Sequence, residues 1–325
     1  MTSAAIASLL SATLVVQRPT ESLPASMWRY LSSAAVVSLG EGNTPLQLIA
    51  PAPSVLLKDE GRNPGGSTLD RVASVLTSIA KAAGQKHLTY AGESDALAAA
   101  LAVYAAHAGL PCAVSLSSDA DDLDHLRISA AGATLLESGN SIHPEGALSS
   151  EGIALAARLA AHTVACEIAE QMQWKLPETL LIPGATPAEL LHFEQSFAFL
   201  LEHNWTTSVR APRCLAVHIA PPPHARAKAA ARIAARALQQ LSDQVIVIEE
   251  DRVRESLHHM ARVGWMLSPA AAAGIAAAQT LPAVAAPIVL IEPRSALTAA
   301  REIAQFLGIR RYPTRMPVGG IISPQ

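Results

Sequence analysis

Asn63-Pro64-Gly65-Gly66-Ser67-Thr68-Leu69-Asp70-Arg71 holds a turn and the start of a helix within nine residues. Pro64 presets a backbone angle and the Gly65-Gly66 pair allows conformations closed to other residues, so the chain turns here. Ser67 or Thr68 then supplies a capping oxygen, and the apolar-periodic run Leu69–Ala83 continues as a helix. A helix start presents bare N–H groups and the positive end of the helix dipole. Asn63, Ser67 and Thr68 are therefore candidates to line a cleft that holds a carboxylate or another small anion. The competing reading is that Ser67 merely caps the helix while Asp70 and Arg71 pair locally.

Outward from this turn, short β-branched runs alternate with longer helical patterns. The strand candidates are Ser54–Lys58, Lys86–Tyr90, Cys112–Leu116, Ala133–Glu137, Thr179–Ile182, Arg213–Ile219, Gln244–Ile248 and Ile288–Ile291. The helix candidates are Leu69–Ala83, Ala96–Ala108, Ile153–Ala165, Pro187–His203, Ala225–Leu241, Asp251–Val263 and Ala296–Leu307. Buried strands separated by helices predict an α/β fold with mostly parallel, twisted sheets covered on both faces. Turn formers crowd Glu137–Ser150 and predict a domain boundary there. A smaller α/β domain would span residues 56–149.

Half of the 325 residues are hydrophobic and 16% are charged, which supports a sizeable core and excludes a disordered chain. A net charge of −3 without any basic tract gives no electrostatic support for a nucleic-acid or anionic-membrane partner. Cys112, Cys166 and Cys214 are odd in number and widely spaced, so they read as small buried hydrophobes, with no disulfide framework and no metal site. Met1–Val16 is apolar but lacks a basic residue before Arg18, so it reads as a strand or helix of the fold rather than a secretory signal. Apart from alanine-rich stretches broken by proline, no uncharged run approaches the roughly 20 residues that span a bilayer. A soluble, cytoplasmic protein is expected.

The opening nine residues resemble the signature of threonine synthase-like enzymes of the fold type II pyridoxal-phosphate (PLP) family, the tryptophan synthase β-like group. There the segment reads Asn-Pro-Thr-Gly-Ser-Phe-Lys-Asp-Arg, and its lysine forms the Schiff base with PLP. Further pieces occur in family order: Met27-Trp28-Arg29-Tyr30, Val37 to Leu46, Leu57-Lys58-Asp59-Glu60-Gly61, Ala102 to Pro111, Glu249-Glu250-Asp251 and Gly264 to Gly274. The resemblance implies two α/β domains, with residues 1–55 plus 150–325 forming the larger, and a homodimer.

The departures fall on positions that serve the cofactor in that family. Leu69 stands at the lysine position, and an alkyl chain cannot form an imine. The family's Ser-Gly-Asn turn corresponds to Tyr90–Ala96, where Glu93 and Asp95 bring acids and Ala96 offers no amide. Its glycine-rich phosphate loop corresponds to Pro183–Glu189, where Gly184 and Thr186 remain, Pro187 removes an N–H and Glu189 adds a negative charge. Its Thr-Gly segment at the pyridine nitrogen corresponds to Glu292-Pro293-Arg294. No cofactor is expected.

Only five lysines are present, and Lys58, at a strand end beside the altered segment, is the one candidate to replace the missing amine. Its plain alternative is a cation paired with Asp59, Glu60 or Glu93, since imine formation at neutral pH needs a strongly depressed amine pKa. Among histidines, the neighbours His258 and His259 point about 100° apart on a helix and do not share a metal easily. His218 and His224 flank the Pro221-Pro222-Pro223 run, where satisfied structural histidines are the default. Ser94, without a nucleophile-elbow pattern, is a cleft residue rather than a nucleophile.

Three functions compete. The first is a pseudoenzyme that binds a protein partner or small molecule through the old cleft. The second is a repurposed, PLP-independent enzyme drawing on Lys58, Arg71, Glu93 and Asp95. The third is a PLP-dependent lyase with an unrecognised lysine.

Overall fold

The computed structural model describes residues 17–19, 26–33, 35–51, 53–118, 120–136, 146–220, 243–282 and 287–309. Among the described residues nine strands form two sheets. The larger takes β1 (Leu46–Pro51), β2 (Ser54–Asp59), β6 (Thr179–Pro183), β7 (Arg213–Ile219), β8 (Val245–Ile248) and β9 (Ile288–Glu292) in the order β1-β2-β9-β6-β7-β8. Every pair in it is parallel except the β1–β2 hairpin. The smaller sheet is parallel throughout, with β3 (Leu88–Tyr90), β4 (Cys112–Val114) and β5 (Thr134–Leu135) in sequence order.

The helices are α1 (Leu69–Ala82), α2 (Asp95–Ala108), α3 (Asp122–Ala130), α4 (Ser150–Gln171), α5 (Pro187–Glu202), α6 (Glu250–Arg262), α7 (Pro269–Ala278) and α8 (Ala300–Phe306). Strands buried on both faces explain why β6 and β9 read as unbroken apolar runs. The expected α/β architecture is present. All eight strand candidates form, with shorter ends in the small sheet, where β5 keeps two residues.

The periodic patterns leave out β1, α3 and α7, the last of which is reached only through the resemblance of Gly264–Gly274 to the family's late helices. Strand β1 is an edge strand, which is why Pro51 can close it. Helix α3 buries only Ile128, too little to leave an apolar period. Helix α7 is alanine-rich and buried nearly all round, so its faces do not differ. Helix α8 starts four residues later than expected, because Ser295 and Thr298 form a turn against Gly66. The candidate helix Ala225–Leu241, His224 and the segment Met1–Val16 lie outside the described residues. Sheet membership puts all of β2 in the larger sheet, so a domain division at residue 56 would cut that strand.

Among the described residues three buried clusters form the core, and α4 joins two of them. Leu155, Ala156, Leu159 and Ala160 pack with α1 and α2 against the small sheet. One turn on, Val164, Ala165, Ile168 and Ala169 pack with α5 against the large sheet. By length and hydropathy α4 would suffice to cross a membrane, yet 72% of its apolar window is buried within the protein, as for a core helix. The third cluster, on the opposite face of the large sheet, gathers α6 and α7.

The loop before β1 is held close to α4. Gly42 has φ of +90°, and a Cβ there would stand 2.8 Å from both Glu167 Oε1 and Met27 Cβ. Gly42→Ala is expected to cost about 1–3 kcal/mol through backbone strain and displacement of that carboxylate. Urea unfolding measures it, and an unchanged midpoint would contradict the close approach.

Candidate functional site

Four ionisable side chains meet in the interior where β2, α1 and α4 converge. Arg71, on the first turn of α1, is fully buried, as are Lys58 and Glu60, and Glu167 is 2% exposed. The guanidinium is gripped from two sides. Nε and one terminal nitrogen donate to Glu60 at 2.7 and 2.8 Å, and both terminal nitrogens donate to Glu167 at 2.7 and 2.8 Å. Lys58 Nζ donates to Glu167 at 2.8 Å, to the Thr44 carbonyl at 2.7 Å and to Gln171 at 3.0 Å. All three partners are acceptors, so the amine is held as an ammonium.

Two cations and two carboxylates cancel, which is the condition under which burial of charge is tolerated. Burial alone would raise the Glu167 pKa, but Arg71 and then Lys58 hold it down at about 2. Glu60 is likewise lowered, with Arg71 overcoming burial. Burial lowers the Lys58 pKa, against the pull of Glu167. Lys58 thus pairs with Glu167, not with the Asp59, Glu60 or Glu93 that its sequence neighbourhood offered. Arg71 does not pair with Asp70.

The turn Asn63–Asp70 is satisfied from within. Asp70 accepts from the Gly65 N–H at 3.0 Å and the Ser67 N–H at 3.1 Å. Gly66 N–H donates to Asn63 O, Thr68 N–H to Pro293 O, and Leu69 N–H to Ser67 Oγ. The Asn63 side chain bridges Gly42 N–H and Glu60. The N–H groups that sequence reading offered to an external anion are therefore engaged by the chain itself, chiefly by the carboxylate three residues beyond Ser67. Thr68 makes no side-chain cap. Leu69 is half-buried and packs against the first cluster. Burial raises the Asp70 pKa to about 6 despite its two N–H donors.

The start of α5 repeats this pattern. Thr186 Oγ1 accepts from Glu189 N–H, and the Glu189 carboxylate accepts from Thr186 N–H at 2.8 Å and its hydroxyl at 2.9 Å, a capping box with Pro187 inside. Gly184 has φ of +73° and its N–H donates to Val217 O. His218 is buried, with Nε2 3.0 Å from Ala185 O.

At the start of α2, Ser94 caps the helix and its N–H donates to the Tyr90 hydroxyl. Asp95 is bound by the Ser117 N–H at 2.8 Å and by its hydroxyl. Ala96 is a helical residue, and Glu93 is exposed. The four candidates for acid–base chemistry thus divide into two pairs: Lys58 and Arg71 meet on Glu167 in the interior, while Glu93 and Asp95 lie elsewhere at a helix start. Glu292, at the end of β9, is 3% exposed and accepts from Ser268 N–H at 3.0 Å and Ser268 Oγ at 2.6 Å. Burial pushes its pKa up to about 7, with the Ser268 hydrogen bonds opposing.

Glu60, Thr44, Glu167 and Gln171 went unremarked as site residues in the sequence. Glu41 did as well; it is buried and accepts from Trp28, Ser74, Tyr104 and Leu39. One signal existed, a lone acid at Glu167 inside the apolar run Ala165–Ala169. Among the described residues no group of His, Cys, Asp and Glu could hold a metal, and all three cysteines are free and buried.

The profile of the pyridoxal-phosphate dependent enzyme family matches residues 37–292, most of the chain. The chain belongs to that family. Two solved structures share the fold of this family member. O-ureido-L-serine synthase matches at 19% identity and a TM-score of 0.60, covering 84% of this chain and 94% of its own. A pyridoxal 5'-phosphate-dependent aspartate racemase matches at 16% identity and 0.57, covering 77% and 89%. A search of curated sequences finds no match.

Truncating Arg71 in this family member would leave the buried Glu60 without its hydrogen-bonded cation and Glu167 with Lys58 alone. Arg71→Ala is expected to cost about 3–5 kcal/mol in chemical denaturation. A loss below about 1 kcal/mol would mean that the network does not hold the core. Glu292 sets a second test. Its folded pKa lies above the ordinary 4.5, so its contribution to stability is full below pH 4.5 and lost as pH rises through about 7. Melting temperature should therefore fall between pH 5 and 8, and Glu292→Gln should flatten that slope. An unaltered slope would remove Glu292 as its source.

Proposed function

We propose that this chain keeps the family scaffold as a binding protein and does not carry out Schiff-base chemistry. The resemblance behind the proposal is to threonine synthase-like enzymes, and the observation that carries it is Leu69, a packed alkyl side chain at the position of the reactive lysine. PLP does not fit the remaining residues either. Its phosphate would need free N–H groups at Pro183–Glu189, where Gly184 and Thr186 N–H are engaged, Pro187 has none and Glu189 brings a carboxylate. At the other end, both carboxylate oxygens of Glu292 already accept from Ser268.

Lys58 does not rescue the chemistry in this reading. An ammonium with three acceptors and no exposed surface lacks both the lone pair and the access that attack on a carbonyl requires. The same burial argues against a repurposed active site built on Lys58 and Arg71. A small molecule or protein partner bound without turnover fits better. A homodimer belongs to the same proposal by family analogy, and a cytoplasmic location without nucleic-acid or membrane partners belongs to it by charge and hydropathy.

Mixing the purified protein with PLP, with and without borohydride, tests this. Wild type should give no aldimine absorbance and no reduced lysine adduct, whereas Leu69→Lys should gain a weak, reducible one. A trapped adduct on any lysine of the wild type would overturn the reading.

A further inference from the structure

Beyond β9 the chain crosses the turn that starts α1 and is tied to it through backbone. Thr68 N–H donates to Pro293 O at 3.0 Å and Ser295 N–H to Gly66 O at 2.8 Å, an antiparallel bridge between Ser67 and Arg294. Thr298 Oγ1 adds a longer contact to Gly66 O at 3.4 Å. The approach is close: a Cβ on Gly61 would stand 2.6 Å from Ser295 N, and one on Gly66 3.0 Å from Ser295 Oγ. Residues 294–298 thus lie as a strap over Gly66–Thr68.

The strap is anchored at both ends and lightly held between them. On one side β9 is buried along its length, and Pro293 fixes a backbone angle. On the other, Ala299 is 1% exposed, α8 turns Ile303 and Ala304 inward, and Phe306 O accepts from Arg254 Nε at 2.8 Å. In between, no residue of 294–298 is buried, and Leu297 is 77% exposed. A segment that buries so little apolar surface opens locally at a lower cost than global unfolding.

Charge supplies the remaining hold. Arg294 forms an ion pair with Glu302 on the first turn of α8. Burial lowers the Arg294 pKa, and Glu292, then Asp124 and Asp121 at the start of α3, pull it back up. One cation of the strap is therefore held by acids from the large-sheet side and from the small-sheet side. The Arg294 side chain is 39% exposed and that of Glu302 31%, so dissolved ions reach the pair and screen it.

We propose that residues 294–298 form a releasable strap, pinned by Arg294 to Glu302 and to the start of α3, whose opening uncovers the Gly66 carbonyl and the Thr68 N–H. Ionic strength sets how often it opens. The release involves the strap alone, leaves the two sheets joined through α4, and is independent of the fate of the PLP position.

Amide hydrogen exchange on the full-length chain, without ligand or cofactor, tests this. The Thr68 and Ser295 amides should exchange together, at least about 100-fold faster than those of Val289–Ile291, which report global opening. Arg294→Gln, and separately Glu302→Gln, should speed those two amides about tenfold and leave the β9 amides unchanged. Raising sodium chloride from about 0.05 M to about 0.5 M should act likewise on wild type and have no effect on Arg294→Gln. Exchange of the two amides only at the β9 rate, exchange unchanged in Arg294→Gln, or a salt effect that survives in that variant would overturn the proposal. If Arg294→Gln also speeds β9, the wild-type salt series decides: acceleration confined to Thr68 and Ser295 upholds the strap, and acceleration of all amides alike overturns it.

Discussion

Arg71 is a buried cation closed between two carboxylates, and four separate segments, its own included, are positioned by that clamp. It draws Glu60 from the turn after β2, Glu167 from the middle of α4, and Thr44 from the loop before β1. Lys58 then ties the end of β2 to the same glutamate. Taking each ion out of water costs several kcal/mol, recovered only where charges pair and the remaining donors and acceptors are filled. Here every partner is within hydrogen-bonding distance and the charges sum to zero. The arrangement therefore admits few alternatives: shifting one segment strands a charge in the interior.

Strands β2, β6, β7 and β9 were legible because each is a compact apolar run, and burial on both faces demands no alternation. Helices α1 and α5 were legible from their periodicity. What failed to show were elements whose residues are uniform, as in α7, or nearly all solvated, as in α3. The central clamp was half legible. Lys58 and Arg71 stood out as cations in a recognisable segment, but their neutralising partner Glu167 lies about a hundred residues away, and nothing local pairs it with them. The positions that differ from the family pattern could be named from sequence. That Asp70 and Glu189 fold back onto their own helix starts could not, since it depends on side-chain direction.

Those two helix starts carry a common chemical theme. A helix N-terminus attracts anions, and in this chain the attraction is met internally at both α1 and α5. Leu69 adds apolar packing beside the first of them, and Glu292 is held by the residue that caps α7. In each of these segments the donors are satisfied by local hydrogen bonds. The clamp that organises the scaffold lies two residues beyond Leu69, at Arg71, and does not involve the Leu69 side chain.

Helix α4 has a thermodynamic consequence of its own. Its first half is solvated by the small-sheet core and its second half by the large-sheet core, with no loop between them. Neither core can melt without dragging half of a 22-residue rod out of register with the other. The two sheets, although separately hydrogen-bonded, are thereby made into one cooperative unit, and fluctuations that would part them are paid in broken helix rather than in a flexing hinge.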